Sequence, residues 1–184
     1  MIGLKRGTVK LLPHDPEWDK LAKTTVAELW DILGSAALDI QHIGSTSIKN
    51  ICAKPILDIG IAVERFEDVF PFLQRLEEHG YFRRNTGSVG EIFLSKGDET
   101  ADTRTHHIHI VLNDDRRWRD YIFFRDRLNA RPDDAAEYER LKRGLKDKYE
   151  NDRLSYTDGK AEFIERILNQ REGRQNDKAC EIVP

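Results

Sequence analysis

The sequence has few cysteines and no long apolar run, and both absences restrict the class of protein it can be. Its 184 residues include two cysteines, Cys52 and Cys180, so there is neither a disulfide framework nor a CxxC metal pair. Segment 1–18 lacks the apolar core and cleavage site of a secretion signal. No uncharged apolar run is long enough to span a bilayer. We therefore expect a cytoplasmic protein with no membrane partner.

A basic excess is also missing from the composition. The chain has 30 Lys and Arg residues against 33 Asp and Glu residues, and its formal net charge is -3. Proteins that bind nucleic acids in general usually carry a basic excess or a basic stripe, so we expect no general nucleic-acid binding. A local basic pocket for a small-molecule or nucleotide ligand is compatible with this charge. The oligomeric state cannot be read from these features.

The order of secondary-structure patterns indicates one domain of mixed class. Strand and helix patterns alternate up to about residue 113, and only helical patterns follow. We predict an α/β (α+β) core over residues 1–113, with a mixed sheet of about five strands. A helical C-terminal segment of the same domain covers residues 114–170, and a polar tail covers residues 171–184.

The first predicted helix begins with Asp15 as N-cap and Pro16 at the first helical position, and it ends at Gly34. Its apolar residues recur at spacings of three and four, which predicts one buried stripe. That stripe comprises Trp18, Leu21, Ala22, Val26, Leu29, Trp30 and Leu33.

The other elements follow from shorter patterns. Strands are predicted at residues 8–12, 38–43, 55–63, 81–85, 91–95 and 105–112. Helices are predicted at residues 45–52, 66–81, 116–130, 132–150 and 158–170. Pro71 predicts an early boundary or a kink in the 66–81 helix, and Asp158 is the expected N-cap of the last one.

A Gly-Ser turn between two predicted strands is the first candidate site. Gly44 and Ser45 end one strand and open a short helix, so backbone N–H groups and the hydroxyls of Ser45 and Thr46 are available to a phosphate. Asp58 follows in a buried apolar strand, where an uncompensated carboxylate is costly. We predict that Asp58 holds a divalent cation against the phosphate and is the candidate catalytic residue.

Two histidines in the 105–112 strand are further candidate metal ligands. Strand alternation places His107 and His109 on one face, and Ile108 and Ile110 on the other. With Asp58, they form a mixed nitrogen and oxygen site that suits Mn, Zn, Fe or Ni better than Mg. The alternative is that these histidines lie on a solvent-facing or substrate-facing strand surface without binding metal.

Segment 41–59, QHIGSTSIKNICAKPILDI, resembles the signature EHIGSTxVPGLxAKPIIDI of the GrpB family (the UPF0157 proteins). The segments HHIHIVL, FFRDRLNARPDDAAEYERLKRGL and YTDGKAEFI also resemble that family, so the likeness covers about residues 8–168. Members of the family are similar in fold to the polymerase-β-like nucleotidyltransferases, in which a Gly-Ser turn precedes a strand with an acid-x-acid pair. The resemblance implies this fold, with C-terminal helices, and related domains occur fused to dephospho-CoA kinase.

The chain also departs from these patterns. Lys49 and Asn50 replace the usual Pro-Gly, and Gly60 stands where the second acid of the nucleotidyltransferase pair is expected. Glu64 lies on the same strand face, at the far end. Because two-metal transfer needs two or three carboxylates, the standard site is incomplete.

Five more residues are weaker candidates. His42 precedes the Gly-Ser turn and is either a site residue or a satisfied, partly buried histidine. Lys54 either binds a phosphate or is a surface lysine. Arg125 either grips a phosphate or forms an ion pair that docks helices. Tyr156 and Lys160 match the family's YTxxK block, and they either contact substrate or serve capping and packing.

Two functions are consistent with these features. The first is a metal-dependent nucleotidyl- or phosphoryl-transferase that acts on a small molecule, with a divalent ion (Mn, Zn, Ni or Mg) and a nucleotide as the expected cofactors. The second is a non-catalytic module that binds a nucleotide or phosphometabolite in a degenerate nucleotidyltransferase site. The histidine pair favours the first function, and Gly60 favours the second.

Overall fold

The computed structural model describes residues 2–87, 89–150 and 152–180, with side chains described up to residue 171. Three short 3-10 segments occur at Gly34–Ala36, Ser45–Ser47 and Phe66–Phe72. The strands and α-helices are, in chain order, β1 (Leu4–Lys5), α1 (Glu17–Leu33), β2 (Asp39–Ile43), β3 (Leu57–Val63), α2 (Leu73–Glu78), β4 (Phe82–Arg83), β5 (Ile92–Lys96), β6 (Thr103–Arg104), β7 (His106–Leu112), α3 (Arg116–Ala130), α4 (Pro132–Lys148), α5 (Arg153–Asp158) and α6 (Ala161–Cys180).

Five of these strands form one mixed sheet in the order β2-β3-β7-β5-β4. The β3–β7 pair is parallel, and the other pairs are antiparallel. The interior strand β3 is almost entirely apolar because both of its faces are covered. The predicted mixed α/β fold, with a five-stranded sheet followed by C-terminal helices, is confirmed. Strands β1 and β6 pair separately as a two-stranded ribbon.

Helix α1 covers one face of the sheet. Trp18, Leu29 and Leu33 are fully buried in the core that includes the isoleucines of β3 and β7, as the apolar stripe predicted. Trp30 and Leu21 were wrong as core residues, because they are 38% and 39% exposed. At about 100° per residue, they lie at opposite margins of the stripe. Trp30 borders an open groove beside the edge strand β2, where no further strand covers it.

Several other element predictions need correction. Residues 8–12 form no strand: Val9 N–H donates to the Glu150 carbonyl, and Leu12 makes an isolated bridge to Ala53. The predicted 45–52 helix is one 3-10 turn, and Asn50 then takes a φ of 62°, which an α-helix excludes. The 66–81 helix starts as a 3-10 segment that includes Pro71 and becomes α2 only afterwards.

The last predicted helix is two helices in the structure. Asp152 caps α5 by accepting a hydrogen bond from the Ser155 N–H at 3.1 Å. Asp158 ends α5, so its assignment as the N-cap of a 158–170 helix was wrong. Helix α6 continues past Gln170 to Cys180, and residues 181–184 of the predicted polar tail lie outside the described residues. None of the helices described is both long and apolar enough to cross a membrane.

Helix α3 covers part of the second sheet face. Trp118 packs there on Ala62 of β3 and Val111 of β7. Asp58 and His107, near the beginnings of the same two strands, are not covered by Trp118 and face a cavity that α5 also lines. The candidate site therefore lies on the part of this sheet face that α3 leaves uncovered.

Candidate metal and anion site

The parallel register of β3 and β7 brings Asp58 beside two histidines. Asp58 is directly opposite His107, and His109 lies two residues further along the same face. The Oδ1 atom of Asp58 lies 3.1 Å from His107 Nδ1 and 3.6 Å from His109 Nε2. One ligand atom from each of the three residues lies within 4.8 Å of the others. Two imidazoles and a carboxylate at this separation can share a divalent ion.

The same geometry explains how the sheet tolerates Asp58. Burial raises the pKa of this carboxyl group, but hydrogen bonds from His107 and His109 and their charge lower it well below its ordinary range. Burial lowers the pKa of His107. His109 behaves differently: burial opposes its protonation, yet the carboxylates of Asp58 and Glu91 raise its pKa to about 9. The histidine pair therefore compensates the acid.

Glu91 is a site residue that the sequence analysis missed. Its Oε1 atom lies 2.6 Å from His109 Nδ1, and the Tyr121 hydroxyl donates to the same oxygen at 3.5 Å. A ligating histidine commonly donates its second ring N–H to a carboxylate, which orients the ring. Alternation along the predicted 91–95 strand puts Glu91 and Phe93 on one face. The register that opposes Phe93 to His109 is visible only in the folded sheet.

A cavity of about 370 Å³ adjoins Asp58. Five of the predicted phosphate-binding residues line it: Gly44, Ser45, Lys54, Tyr156 and Lys160. Side chains that were not predicted also line it. These are Ile43, Ile56, Tyr121, Arg153 and Thr157.

Three cations line this cavity: Lys54, Arg153 and Lys160. Burial, together with the positive charges of Lys160 and Arg153, lowers the pKa of Lys54 to about 7. Burial also lowers the pKa of Lys160. Among the side chains that the structure describes, no carboxylate forms an ion pair with any of the three. The Nζ atoms of Lys54 and Lys160 lie 5.2 and 4.9 Å from the Tyr156 ring centroid. These cations favour an anionic ligand.

The Gly-Ser turn shapes the wall of the cavity next to Asp58. Gly44 has a φ of 70° and a ψ of -171°, a conformation almost restricted to glycine. A Cβ atom there would lie 2.3 Å from Asp58 Oδ2. Ser45 opens one 3-10 turn, and its Oγ atom lies 3.5 Å from the Tyr138 hydroxyl. The expected helix dipole is correspondingly small, because a single turn aligns few peptide groups.

Three predicted site residues lie outside the cavity. Thr46 is 1% exposed, and its hydroxyl contacts the Ile56 carbonyl and His42 Nε2. His42 faces the α1 side of the sheet, because Ile43 and not His42 shares the Asp58 face. Arg125 donates to Gln41 Oε1 at 2.8 Å and to the His42 carbonyl at 3.1 Å, beside the edge strand. Each has a structural partner, and the structure does not bring these three residues to the cavity beside Asp58.

The position of the missing second acid is closed. A Cβ atom on Gly60 would lie 2.9 Å from Trp118 Cζ3 and 3.2 Å from Ile43 Cδ1. A carboxylate side chain there would require the Trp118 ring to move. Glu64 follows the end of β3 and is exposed, so it does not replace the acid.

Most of the chain, including the site residues, matches the model of a known protein family. The family model described as "GrpB protein" matches residues 8–170. The chain belongs to the GrpB family. The glutamate-rich protein GrpB of Alkalihalophilus pseudofirmus is 41% identical over 173 residues, which are 92% of this chain and 99% of that protein. A UPF0157 protein of Pseudomonas aeruginosa is 35% identical over 88% of this chain and 67% of its own length.

A solved structure of a GrpB protein agrees with this membership. The crystal structure of the conserved protein GrpB from Enterococcus faecalis matches with a TM-score of 0.79 and 31% identity, over 88% of this chain and 96% of that chain. The crystal structure of Cid1 poly(U) polymerase with MgGTP matches with a TM-score of 0.48 and 14% identity, over 72% of this chain and 42% of that chain. A dephospho-CoA kinase of Mycolicibacterium paratuberculosis is 28% identical over 83% of this chain and 43% of that protein.

Proposed function

We propose that this GrpB protein is an enzyme in which one divalent metal ion assists phosphoryl transfer on a small molecule. The observation that carries the proposal is the cluster of Asp58, His107 and His109, with ligand atoms within 4.8 Å, at the wall of a cationic cavity. Two imidazoles among the three ligands favour Mn, Zn or Ni over Mg, which prefers oxygen. The ion would supply Lewis-acid polarisation of a phosphoryl oxygen.

The residues around the metal ligands have separate tasks in this proposal. Lys54, Arg153 and Lys160 bind the phosphate and stabilise the negative charge that its oxygens carry during transfer. Glu91 orients His109. The cavity of about 370 Å³ is near the lower end of the roughly 300–1,000 Å³ range of ligand pockets, which supports a small substrate.

The closed position at Gly60 argues for one metal ion. Two-metal nucleotidyl transfer needs carboxylates on both sides of the reacting phosphate, and Trp118 occupies the space beside Gly60. Phosphoryl transfer with one ion is therefore the better supported reaction of the two that the sequence suggested. The relative named dephospho-CoA kinase supports a phosphorylated small molecule as the ligand.

The second candidate function is a non-catalytic module that binds a nucleotide or phosphometabolite. The same closed position at Gly60 favours it, since a degenerate transferase site retains the phosphate pocket after losing an acid. Asp58 then serves only to hold His107 and His109 in place.

Metal and ligand titrations of the wild type, Asp58→Asn and Asp39→Asn test the proposal. In the enzyme, Asp58→Asn abolishes Mn²⁺-dependent turnover in a screen of phosphate esters that includes ATP, because the neutral amide no longer holds the cation. Asp39→Asn, at the other end of the β2–β3 pair, is the control and retains turnover. In the binding module there is no turnover, and Asp58→Asn leaves anion affinity unchanged or improved. A wild type that binds no divalent metal refutes the proposed enzyme.

A further inference from the structure

Two lysines that line the cavity beside Asp58 meet at one aromatic ring. The Nζ atoms of Lys54 and Lys160 lie 5.2 and 4.9 Å from the centroid of the Tyr156 ring. Both distances are within the limit of about 6 Å for attraction between an ammonium group and an aromatic face. Burial raises the pKa of the Tyr156 hydroxyl, so the ring is an uncharged phenol and the attraction comes from its quadrupole.

The ring is the contact that the structure gives to both ammonium groups. Among the residues that the structure describes, neither Nζ atom has a carboxylate or a hydrogen-bond acceptor as its partner. The positive charges of Lys160 and Arg153 contribute to the lowered pKa of Lys54, so the cations of the cavity repel one another. A free lysine side chain also has many rotamers available. The contact with Tyr156 opposes both effects, because it attracts each ammonium group to the wall of the cavity.

Tyr156 can hold the two lysines because it is itself fixed in place. Its side chain is 1% exposed, and its backbone N–H donates to the carbonyl of Asp152, the N-cap of α5, at 3.0 Å. A buried ring on a capped helical turn keeps one orientation. The two ammonium groups are therefore placed at the cavity before any anion binds.

We propose that Tyr156 is a positioning residue whose ring holds the ammonium groups of Lys54 and Lys160 ready for the phosphate of the substrate. The presence of a phosphate in this cavity rests on the proposed function. Tyr156 acts through the two lysines, and its hydroxyl is not needed for this role. The benefit is preorganisation, since side chains that are already ordered cost less to immobilise when the ligand binds.

Titration of the metal-free protein with inorganic phosphate, followed by calorimetry, tests this inference. Tyr156→Leu should weaken phosphate binding about tenfold, because both lysine side chains must then be ordered on binding. Tyr156→Phe keeps the ring and should stay within about twofold of the wild type. Tyr149→Leu is the matched control. The Lys148 Nζ atom lies 5.0 Å from the Tyr149 ring centroid, but neither residue lines the cavity, so phosphate affinity should not change.

A double-mutant cycle separates positioning of the lysines from a general effect on the fold. If Tyr156 acts through both lysines, Tyr156→Leu should cost only about threefold in the Lys160→Gln protein, where the contact with Lys54 remains. It should still cost about tenfold in the Arg65→Gln protein, which loses a positive charge from an exposed position outside the cavity.

Three results overturn the inference. Equal phosphate affinity of the wild type and Tyr156→Leu shows that the lysines need no ring. Equal losses in the Lys160→Gln and Arg65→Gln proteins show that Tyr156 only supports the fold. A wild type that binds no phosphate overturns the inference and the proposed function together, whereas failure of metal binding refutes the proposed function alone, because these titrations contain no metal. Thermal melting checks that Tyr156→Leu is folded, and Tyr156→Met is a second variant with the same expected loss.

Discussion

At the scale of single residues, Glu91 acts on the site through His109 and does not line the cavity. Its 2.6 Å contact with His109 Nδ1 leaves Nε2 directed at Asp58. Glu91→Gln should weaken Zn²⁺ or Mn²⁺ binding about 10- to 100-fold, because the amide holds the ring orientation less strongly and lowers the basicity of the ligand. Calorimetry measures the change. Glu77→Gln, exposed on α2, is the control, and equal metal affinity in both variants contradicts the role.

Gly44 provides a second test at this scale. Gly44→Ala should cost about 1 to 3 kcal/mol from backbone conformation alone, and the new Cβ also displaces the Asp58 carboxylate. Gly34→Ala is a matched control, since Gly34 has a φ of 53° and a ψ of -128° but nothing within 4 Å of its Cβ position. We expect both variants to lose stability in urea unfolding and only Gly44→Ala to lose metal binding. Retained metal affinity in Gly44→Ala contradicts the close fit.

His42, which is not a proposed metal ligand, gives a pH prediction. Burial lowers its pKa to about 4, while Asp58 and Asp19 oppose the shift and Arg125 and His14 reinforce it. The folded-state pKa is below the unfolded value near 6.5, so the unfolded state binds more protons between these values. Stability from this group is therefore complete above pH 6.5 and falls as pH drops towards 4, by about 2 kcal/mol at pH 5.

Urea unfolding at pH 7 and pH 5 measures that change. His42→Gln keeps a donor near Thr46 and should remove about 2 kcal/mol of the pH dependence. His79→Gln, with the ring at the surface, is the control. An unchanged pH dependence in His42→Gln contradicts the assignment.

At the scale of elements, sequence patterns predicted the elements that are buried along most of their length. The stripe of α1 and the apolar run of β3 predicted both elements, because burial repeats along each of them. Residues 8–12 had a strand pattern but no strand partner, and their contact with Glu150 comes from a distant part of the chain. Such tertiary contacts produce no periodic pattern in the local sequence.

The candidate site, like the fold, was predictable only in part. Alternation placed His107 and His109 on one face, and the structure puts Asp58 opposite them. Arg153 and Glu91 were missed because they come from α5 and from the residue before β5, whose positions at the site depend on the whole fold. His42 lies outside the cavity for a local reason, since a one-residue offset from Ile43 places it on the other sheet face.

Two neighbouring residues of α1 test the packing of this element. Leu29 is fully buried, and Leu29→Ala should cost about 2 to 5 kcal/mol, because it removes core contacts and leaves a cavity. Trp30 is 38% exposed beside the edge strand, so Trp30→Ala should cost clearly less despite the larger side chain removed. Urea unfolding compares the two variants. A greater loss in Trp30→Ala contradicts the observed orientation of α1.

At the scale of the whole molecule, the site joins two parts of the chain with different chemistry. The sheet supplies the metal ligands Asp58, His107 and His109, and the C-terminal helical segment supplies Arg153 and Lys160. The whole chain has a net charge of -3, whereas the cavity is locally positive. Because Arg153 and Lys160 come from the helical segment, anion binding depends on the docking of α5 and α6 against the core. Phe163 and Ile167 of α6 pack in a cluster with Leu128 and Tyr138, which fixes that docking.

This arrangement predicts that metal and anion binding are coupled. A bound cation attracts the anion across the cavity, and linkage requires each ligand to raise the affinity for the other by the same factor. We expect saturating inorganic phosphate to tighten Mn²⁺ binding about 5- to 150-fold, the usual range of such coupling, and Mn²⁺ to tighten phosphate binding equally. Lys160→Gln should weaken phosphate binding but leave Mn²⁺ affinity without phosphate unchanged, because Lys160 is not a metal ligand. Arg65→Gln should preserve both affinities and their coupling. If phosphate does not alter Mn²⁺ affinity in the wild type, the two ligands do not meet in one cavity, and the sheet and the helical segment do not form a common site.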